Sequence, residues 1–367
     1  MTDFAIAHVA DGEACSLAEA VAAQLRHTDG HNLGFLYVTN QLAGALDEIV
    51  KILKARSSIS NWVGTVGLGI CATGTEYFGR PAITALTGRF ADGAYRMIAS
   101  ITDTNEIAST VDAGFDSGIG VVHGDPRNPR TADIVSTLAR DHETYLVGGL
   151  SAAERVFPQV AGNIVDGGVS GVLLGGELEG AVGLTQGCSP IGPSHEVTRS
   201  GEGNVLVSLV DRSAFEVLCE DLGVANGVDP HPWLANIHAA LLVAGSDTGD
   251  YLVRNLIGIE PSRGMVVIAD EVTDGNQLMF VRRDAESASK DLERMLDDLR
   301  SRITGRPRSG LYFSCVARGP NLFAGEAHEL SAIRETFGEI PIAGFFGNGE
   351  ISHNRVYGYT GVLTLFL

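Results

Sequence analysis

The sequence predicts an α/β (α+β) fold of two domains, each made of mixed β-sheets with packed helices. Two observations carry that class. A strand-helix-strand-strand pattern occurs three times, and elsewhere short apolar runs follow one another as in a β-meander. Composition agrees, with 44% hydrophobic and 19% charged residues over 367 positions, a globular balance and enough chain for two cores.

The first element is a helix. Ser16-Leu-Ala-Glu19 has the S-x-x-E form, in which two side chains satisfy orphan first-turn N–H groups, and Leu17, Val21 and Leu25 follow on one face. The first repeat unit comes next: the strand Gly34–Val38, an amphipathic segment carrying Leu42, Leu46, Ile49 and Leu53, then strands Trp62–Val66 and Ala82–Leu86. A second unit runs from Gly120–His123 through Ile134, Val135 and Leu138 to Tyr145–Leu150 and Val169–Leu174. The third begins at Gly310–Cys315, passes Leu330, Ile333 and Phe337, and ends in Ile340–Phe346 and Thr360–Leu365. Each second strand has a central glycine, Gly64, Gly148 or Gly344, where another backbone or a ligand can approach closely.

Between these units, Ala181–Leu184, Asn204–Val210, Ala239–Val243, Gly264–Ile268 and Gln277–Val281 read as strands. Ser213-Ala-Phe-Glu216 opens a second capped helix, and Ala288, Leu292, Met295, Leu299 and Ile303 mark a longer one. Pro and Asn between Gly223 and Pro232 make that stretch the candidate linker, so the domains are expected at 1–225 and 226–367.

Charge narrows the function. Acidic residues exceed basic ones, 45 against 26, which opposes binding to a nucleic-acid backbone or an anionic membrane surface. The start of the chain lacks a signal-peptide pattern, and the uncharged run Ser57–Thr75 is broken by glycines, so no membrane insertion is expected. Five scattered cysteines without a CxxC pair fit a reducing cytoplasm and no structural zinc or disulfide framework. Only Lys51, Lys54 and Lys290 are lysines, a bias pointing to a GC-rich, bacterial genome.

Familiar cofactor motifs fail their context tests. Gly67-Leu-Gly69 follows a strand as a dinucleotide fingerprint would, but the Gly- and Pro-rich stretch after it opposes the helix that would hold a pyrophosphate. Gly149-Leu-Ser151 lacks the second glycine of a nucleophile elbow, and His27-Thr-Asp-Gly-His31 reads as a turn. Cys315 ends an apolar strand three residues before Arg318, whose charge would favour a thiolate, the alternative being a buried, inert cysteine; Cys188 is expected to be exposed in a turn-rich loop.

Three segments carry a family resemblance. Thr185-Gln-Gly-Cys-Ser-Pro-Ile-Gly-Pro-Ser-His-Glu-Val-Thr198 resembles the end of the FIST N-terminal domain. Phe313-Ser-Cys-Val-Ala-Arg-Gly319 and Ile340-Pro-Ile-Ala-Gly-Phe-Phe-Gly-Asn-Gly-Glu-Ile351 are similar to signatures of the FIST C-terminal domain. The resemblance runs from about Asn32 to Leu367 and implies a sensory module for a small ligand, proposed to be an amino acid or relative. Larger relatives are fused to signalling domains or an F-box. Met1–His31 is too short for an F-box, so the expectation is a signal passed through a separate protein. Some bacterial members bind haem and sense nitric oxide, for which His123, His353 and His195 are the candidate axial ligands. No cofactor is otherwise required.

The ligand reading has a physical form. Arg318 and Glu350 follow adjacent strands of one unit and are expected at one sheet end, where ligands of open α/β sheets sit. The guanidinium would hold a carboxylate and Glu350 an amine, with Gly344, Gly347 and Gly349 admitting backbone and Phe345 or Phe346 supplying an apolar wall. The competing expectation is a plain Arg318–Glu350 ion pair. A third class is an enzyme with Cys315 or Cys188 as nucleophile, for which no base is evident nearby in sequence.

Overall fold

The computed structural model describes residues 4–111, 114–225, 231–243, 251–325 and 327–367, so half of the candidate linker, 226–230, lies outside the described residues. By spatial contact the chain forms two compact units, Met1–Thr185 with Leu292–Leu367, and Gln186–Asp291. Each of the two sequence segments expected as domains therefore contributes to both units.

The first unit holds the strand-helix-strand-strand pattern three times. First strands are Leu33–Thr39, Ser117–Gly124 and Ser309–Cys315, and second strands are Asn61–Gly67, Tyr145–Leu150 and Ile342–Gly347. Third strands are Ala82–Gly88, Val169–Gly175 and Thr360–Phe366. In every repeat the first strand pairs in parallel with the second and antiparallel with the third. A parallel pair needs a crossover, supplied by the helices Leu46–Arg56, Thr131–Asp141 and His328–Phe337. Their buried stripes, such as Ile134, Val135 and Leu138, recur at helical spacing and each such side chain contributes about 1.5–3 kcal/mol on burial.

Between second and third strands each repeat inserts a hairpin that the sequence analysis did not foresee. The hairpins (Gly69–Ala72 with Thr75–Phe78, Gln159–Ala161 with Asn163–Val165, and Glu350–His353 with Arg355–Tyr357) are exchanged in a ring. The first repeat's hairpin extends the third repeat's sheet, the third's extends the second's, and the second's extends the first's. The result is three six-stranded sheets of matching strand order.

The central glycines mark the same point in each sheet. A Cβ added to Gly64, Gly148 or Gly344 would stand 1.7–1.8 Å from the carbonyl oxygen of Leu36, Val122 or Tyr312, its register partner. The next residue of each first strand, Tyr37, His123 or Phe313, faces the common core. Tyr37 lies 5.5 Å from His123 and 5.9 Å from Phe313 between ring centroids, and Phe345 packs against all three. Three equivalent positions thus meet around one pseudo-threefold axis.

The second unit is all antiparallel. Strands Gln277–Arg283, His195–Ser200, Val205–Leu209, Met265–Ile268, Tyr251–Glu260 and Ile237–Leu242 pair in that order, and the last pairs back on the first, closing a six-stranded barrel. The helix Ala214–Asp221 packs Val217 and Leu218 into its core, and Ser213 caps it as expected, accepting from Glu216 N–H. The expected cap at Ser16 is a correction: the helix begins at Ala14, after Glu13, so Ser16 lies inside its first turn.

Candidate functional site

The C-terminal ends of the first strands form three equivalent corners, each built from one repeat. The strand-end position is held by Thr39, Asp125 or Cys315, and three residues further stand Leu42, Asn128 or Arg318. The third-strand position beside them is Ala82, Gly168 or Thr360, by extension of the printed registers. The exchanged hairpin supplies Ile70, Gln159 or Glu350, each opposite the residue after a central glycine.

Two corners are internally satisfied. In the first, Thr39 Oγ1 accepts from Ala82 N–H and donates to the Arg80 carbonyl, while Leu42 and Ile70 are apolar. In the second, both oxygens of Asp125 accept from Arg127, and Asn128 donates to the Thr102 and Gly167 carbonyls. Gln159 donates to the Gly168 carbonyl at 3.0 Å and accepts from Ser170 at 2.5 Å.

The third corner is different. Arg318 is fully buried, and its partner is Glu329 on the helix His328–Phe337. Arg318 Nε donates to Glu329 Oε1 at 2.8 Å, and Nη2 stands 2.7 Å from that oxygen without hydrogen-bond alignment. Tyr312 donates to the same oxygen at 2.6 Å, and Ser314 and the Gly319 N–H donate to Oε2. Neither expectation for Arg318 included Glu329: the direct ion-pair partner of the guanidinium is this carboxylate and not Glu350. Its guanidinium also lies 5.5 Å from the Phe323 ring centre.

Glu350 is 1% exposed and engages Thr360 instead, Oε2 accepting from its hydroxyl at 2.7 Å and its N–H at 3.2 Å. Burial pushes the carboxyl up to about 8, against the pull of the Thr360 bonds and the Arg318 charge. Glu350 therefore holds its proton at neutral pH. Arg318 Nη1 and Glu350 Oε1 are buried and have no partner. Among charged side chains of the described residues, such atoms occur on Glu76, Arg318 and Glu350. Glu76 belongs to this network too, since burial and then the Glu329 charge push it up to about 8.

Cys315 is buried in the same corner, and its thiol is pushed up to about 12, by burial first and by Glu350 second. Arg318 and the Ala317 and Tyr359 N–H groups act in the opposite sense but are outweighed. The expected thiolate is thereby corrected: a guanidinium already facing Glu329 has little left to offer sulfur. Cys188 is corrected as well, being a buried strand residue of the second unit.

The remaining candidates occupy other surroundings. Gly344 faces the Tyr312 backbone, Gly347 lies against the Leu150 carbonyl, and Gly349, at φ 135°, passes its carbonyl to Leu150 N–H. Phe345 joins the axial aromatic cluster, while Phe346 turns the other way onto Phe78. His123 is buried among Tyr37, Phe313 and Phe345, and desolvation lowers it to about 3. His353 is exposed and stacks on Tyr145, and His195 bonds Asp221 at 2.9 Å. A cleft of about 790 Å³ opens at the other ends of the strands, between Asn32, Arg89, Asp92, Glu177, Glu179 and Arg308. Its charged groups are of both signs and none is among the buried unpartnered ones.

Sequence reasoning missed Glu329 and Thr360. A signal existed for Glu329, which precedes Ile333 by four residues and so lies on the buried stripe of its helix.

Comparison with known proteins now places the chain. The FIST N domain matches residues 32–212 and the FIST C domain matches residues 214–353. This protein belongs to the FIST family, whose domains are associated with sensory, ligand-binding roles. It is similar to an uncharacterized protein of Mycobacterium bovis and one of Mycobacterium tuberculosis CDC 1551, each 33% identical over 216 residues, covering 56% of this chain and 55% of theirs. An uncharacterized protein of Mycobacterium tuberculosis H37Rv is 33% identical over 224 residues, with the same coverage. The chain thus spans about half the length of the curated relatives it matches. Among the described residues no helix is long and apolar enough to cross a membrane.

Proposed function

We propose that this protein is a ligand-binding sensor whose site is the third corner, and that its ligand is a small amine-bearing metabolite such as an amino acid. A ligand oxygen sits on Arg318 Nη1 and its amine on Glu350 Oε1, with Cys315 and Thr360 beside them. The observation that supports this reading is the contrast among equivalent corners. Two are closed by apolar residues or by fully bonded amides, and the third leaves a buried cation and a buried acid each with a bare atom. An unpaired buried polar atom costs about 1–3 kcal/mol, a cost that a complementary ligand removes. Signalling runs through a separate protein, and the five free cysteines support a cytoplasmic setting.

The test is a thermal-shift screen of the whole chain with the common L-amino acids and their 2-oxo acids. A compound at a hundred times its Kd stabilises the fold by about 2.7 kcal/mol, a shift of several degrees. Glu350→Gln, which keeps the shape of the neutral acid, should fold normally and lose that shift. Unchanged binding by Glu350→Gln would remove the third corner as the site.

A further inference from the structure

We infer that the third corner selects its ligand by net charge, taking small organic cations carrying one positive charge over zwitterions and anions. The inference rests on the site proposed above and on counting the buried charges there. Arg318 supplies one positive charge, and Glu329 consumes it, accepting from four donors on its two oxygens. Glu350 is a second carboxyl in the same corner, bonded to the uncharged Thr360 hydroxyl and to the Thr360 and Gly349 backbone. Glu76, a further buried carboxyl, feels the Glu329 charge and adds no cation. One guanidinium thus serves two carboxyl groups, Glu329 and Glu350.

Among the described residues, the groups around Glu350 offer no other cation. Cys315 and Arg318 approach from the end of the first strand and the turn after it, and Tyr359 and Thr360 from the start of the third. Gly149 is its register partner in the neighbouring sheet and Tyr357 its partner across the hairpin. A zwitterion balances the corner only while Glu350 keeps its proton, so its ammonium meets a neutral acid; bound to ionised Glu350 it would leave one negative charge in excess, away from water, which is costly. A singly charged cation closes the count at zero, with Glu350 giving up its proton to solvent as the cation arrives. Arg318 Nη1 then serves an oxygen of the same ligand. Dibasic amino acids, whose net charge is +1, and amino alcohols both have this chemistry.

The consequence is coupling between binding and pH. Because Glu350 must lose a proton, affinity for such cations should rise with pH up to about 8 and then level off. The experiment titrates the full chain with L-lysine, L-ornithine and ethanolamine as cations, L-alanine and L-leucine as zwitterions, and pyruvate as an anion, at pH 6.5, 7.5 and 8.5. At least one cation should bind ten times tighter than every zwitterion and anion, and gain close to tenfold from pH 6.5 to 7.5. Calorimetry in buffers of different ionisation enthalpy should then show close to one proton released per cation. Glu350→Gln should lose the preference and the pH dependence together. Tight, pH-independent binding of alanine, leucine or pyruvate would overturn charge selection while leaving the third corner as a ligand site. Failure of every probe, together with failure of the wider amino-acid screen, would overturn both readings.

Discussion

Gln159 and Glu350 occupy equivalent positions on two exchanged hairpins, yet only Gln159 has both ends of its side chain bonded. Substituting one for the other changes a sealed junction into an acid with a bare oxygen. The repeats share the strand pairing and differ in the side chains that fill each corner, this position among them.

That acid should govern how stability depends on pH. Glu350 holds its proton up to about 8 when folded and to its ordinary 4.5 when unfolded. Between those values the folded chain binds the extra proton, so stability falls as pH rises. Glu350→Gln should match the wild type near pH 5 and exceed it by about 2–4 kcal/mol at pH 8.5, measured by urea unfolding. Glu76 is shifted the same way, so some slope should survive in the variant. Equal slopes in the two proteins would show that Glu350 titrates normally.

The Arg318–Glu329 pair is buried on both sides, 1% and 0% exposed. Glu329→Ala should cost about 3–5 kcal/mol because it strands a guanidinium away from water. Adding Arg318→Met should recover much of that loss, so the double variant is more stable than the sum of the single effects. Additive losses in a double-mutant cycle would argue that the two side chains act independently.

How much of this was legible beforehand follows from where the information sits. Hydrophobic period and central glycines revealed the three repeats, because strand and helix burial write themselves into local spacing. The hairpins were not readable. Gln159–Ala161 and Asn163–Val165 are three residues each, too short to show alternation, and the sheets they join belong to other repeats. Arg318 and Glu350 stood out as charges at strand ends. Their partners did not, because Glu329 and Thr360 approach through tertiary packing that no spacing along one strand records. The sequence left Cys315 open between a thiolate and a buried thiol for the same reason: proximity to Arg318 in sequence does not record that Glu329 already faces the guanidinium.

The glycine constraint can be checked directly. Gly148→Ala places a methyl about where the Val122 carbonyl oxygen lies and should cost more than 3 kcal/mol or prevent folding. Gly44→Ala, with nothing within 4 Å of the new methyl, should change stability by less than ~1 kcal/mol. Similar denaturation midpoints for the two variants would contradict the equivalence of the strand crossings.

Thiol chemistry tests the enzyme alternative. With its thiol pushed up to about 12, Cys315 should resist iodoacetamide at pH 7.5 in the native protein while exposed Cys15 is modified. Peptide mass mapping should find Cys315 alkylated only after denaturation. Rapid native labelling of Cys315 would restore it as a candidate nucleophile.

The most direct measurement is a crystal structure of the chain with the tightest compound from the screens. The account places its amine within hydrogen-bond distance of Glu350 Oε1 and one of its oxygens on Arg318 Nη1. Density in the cleft between Arg89 and Arg308, with the third corner unchanged, would contradict it.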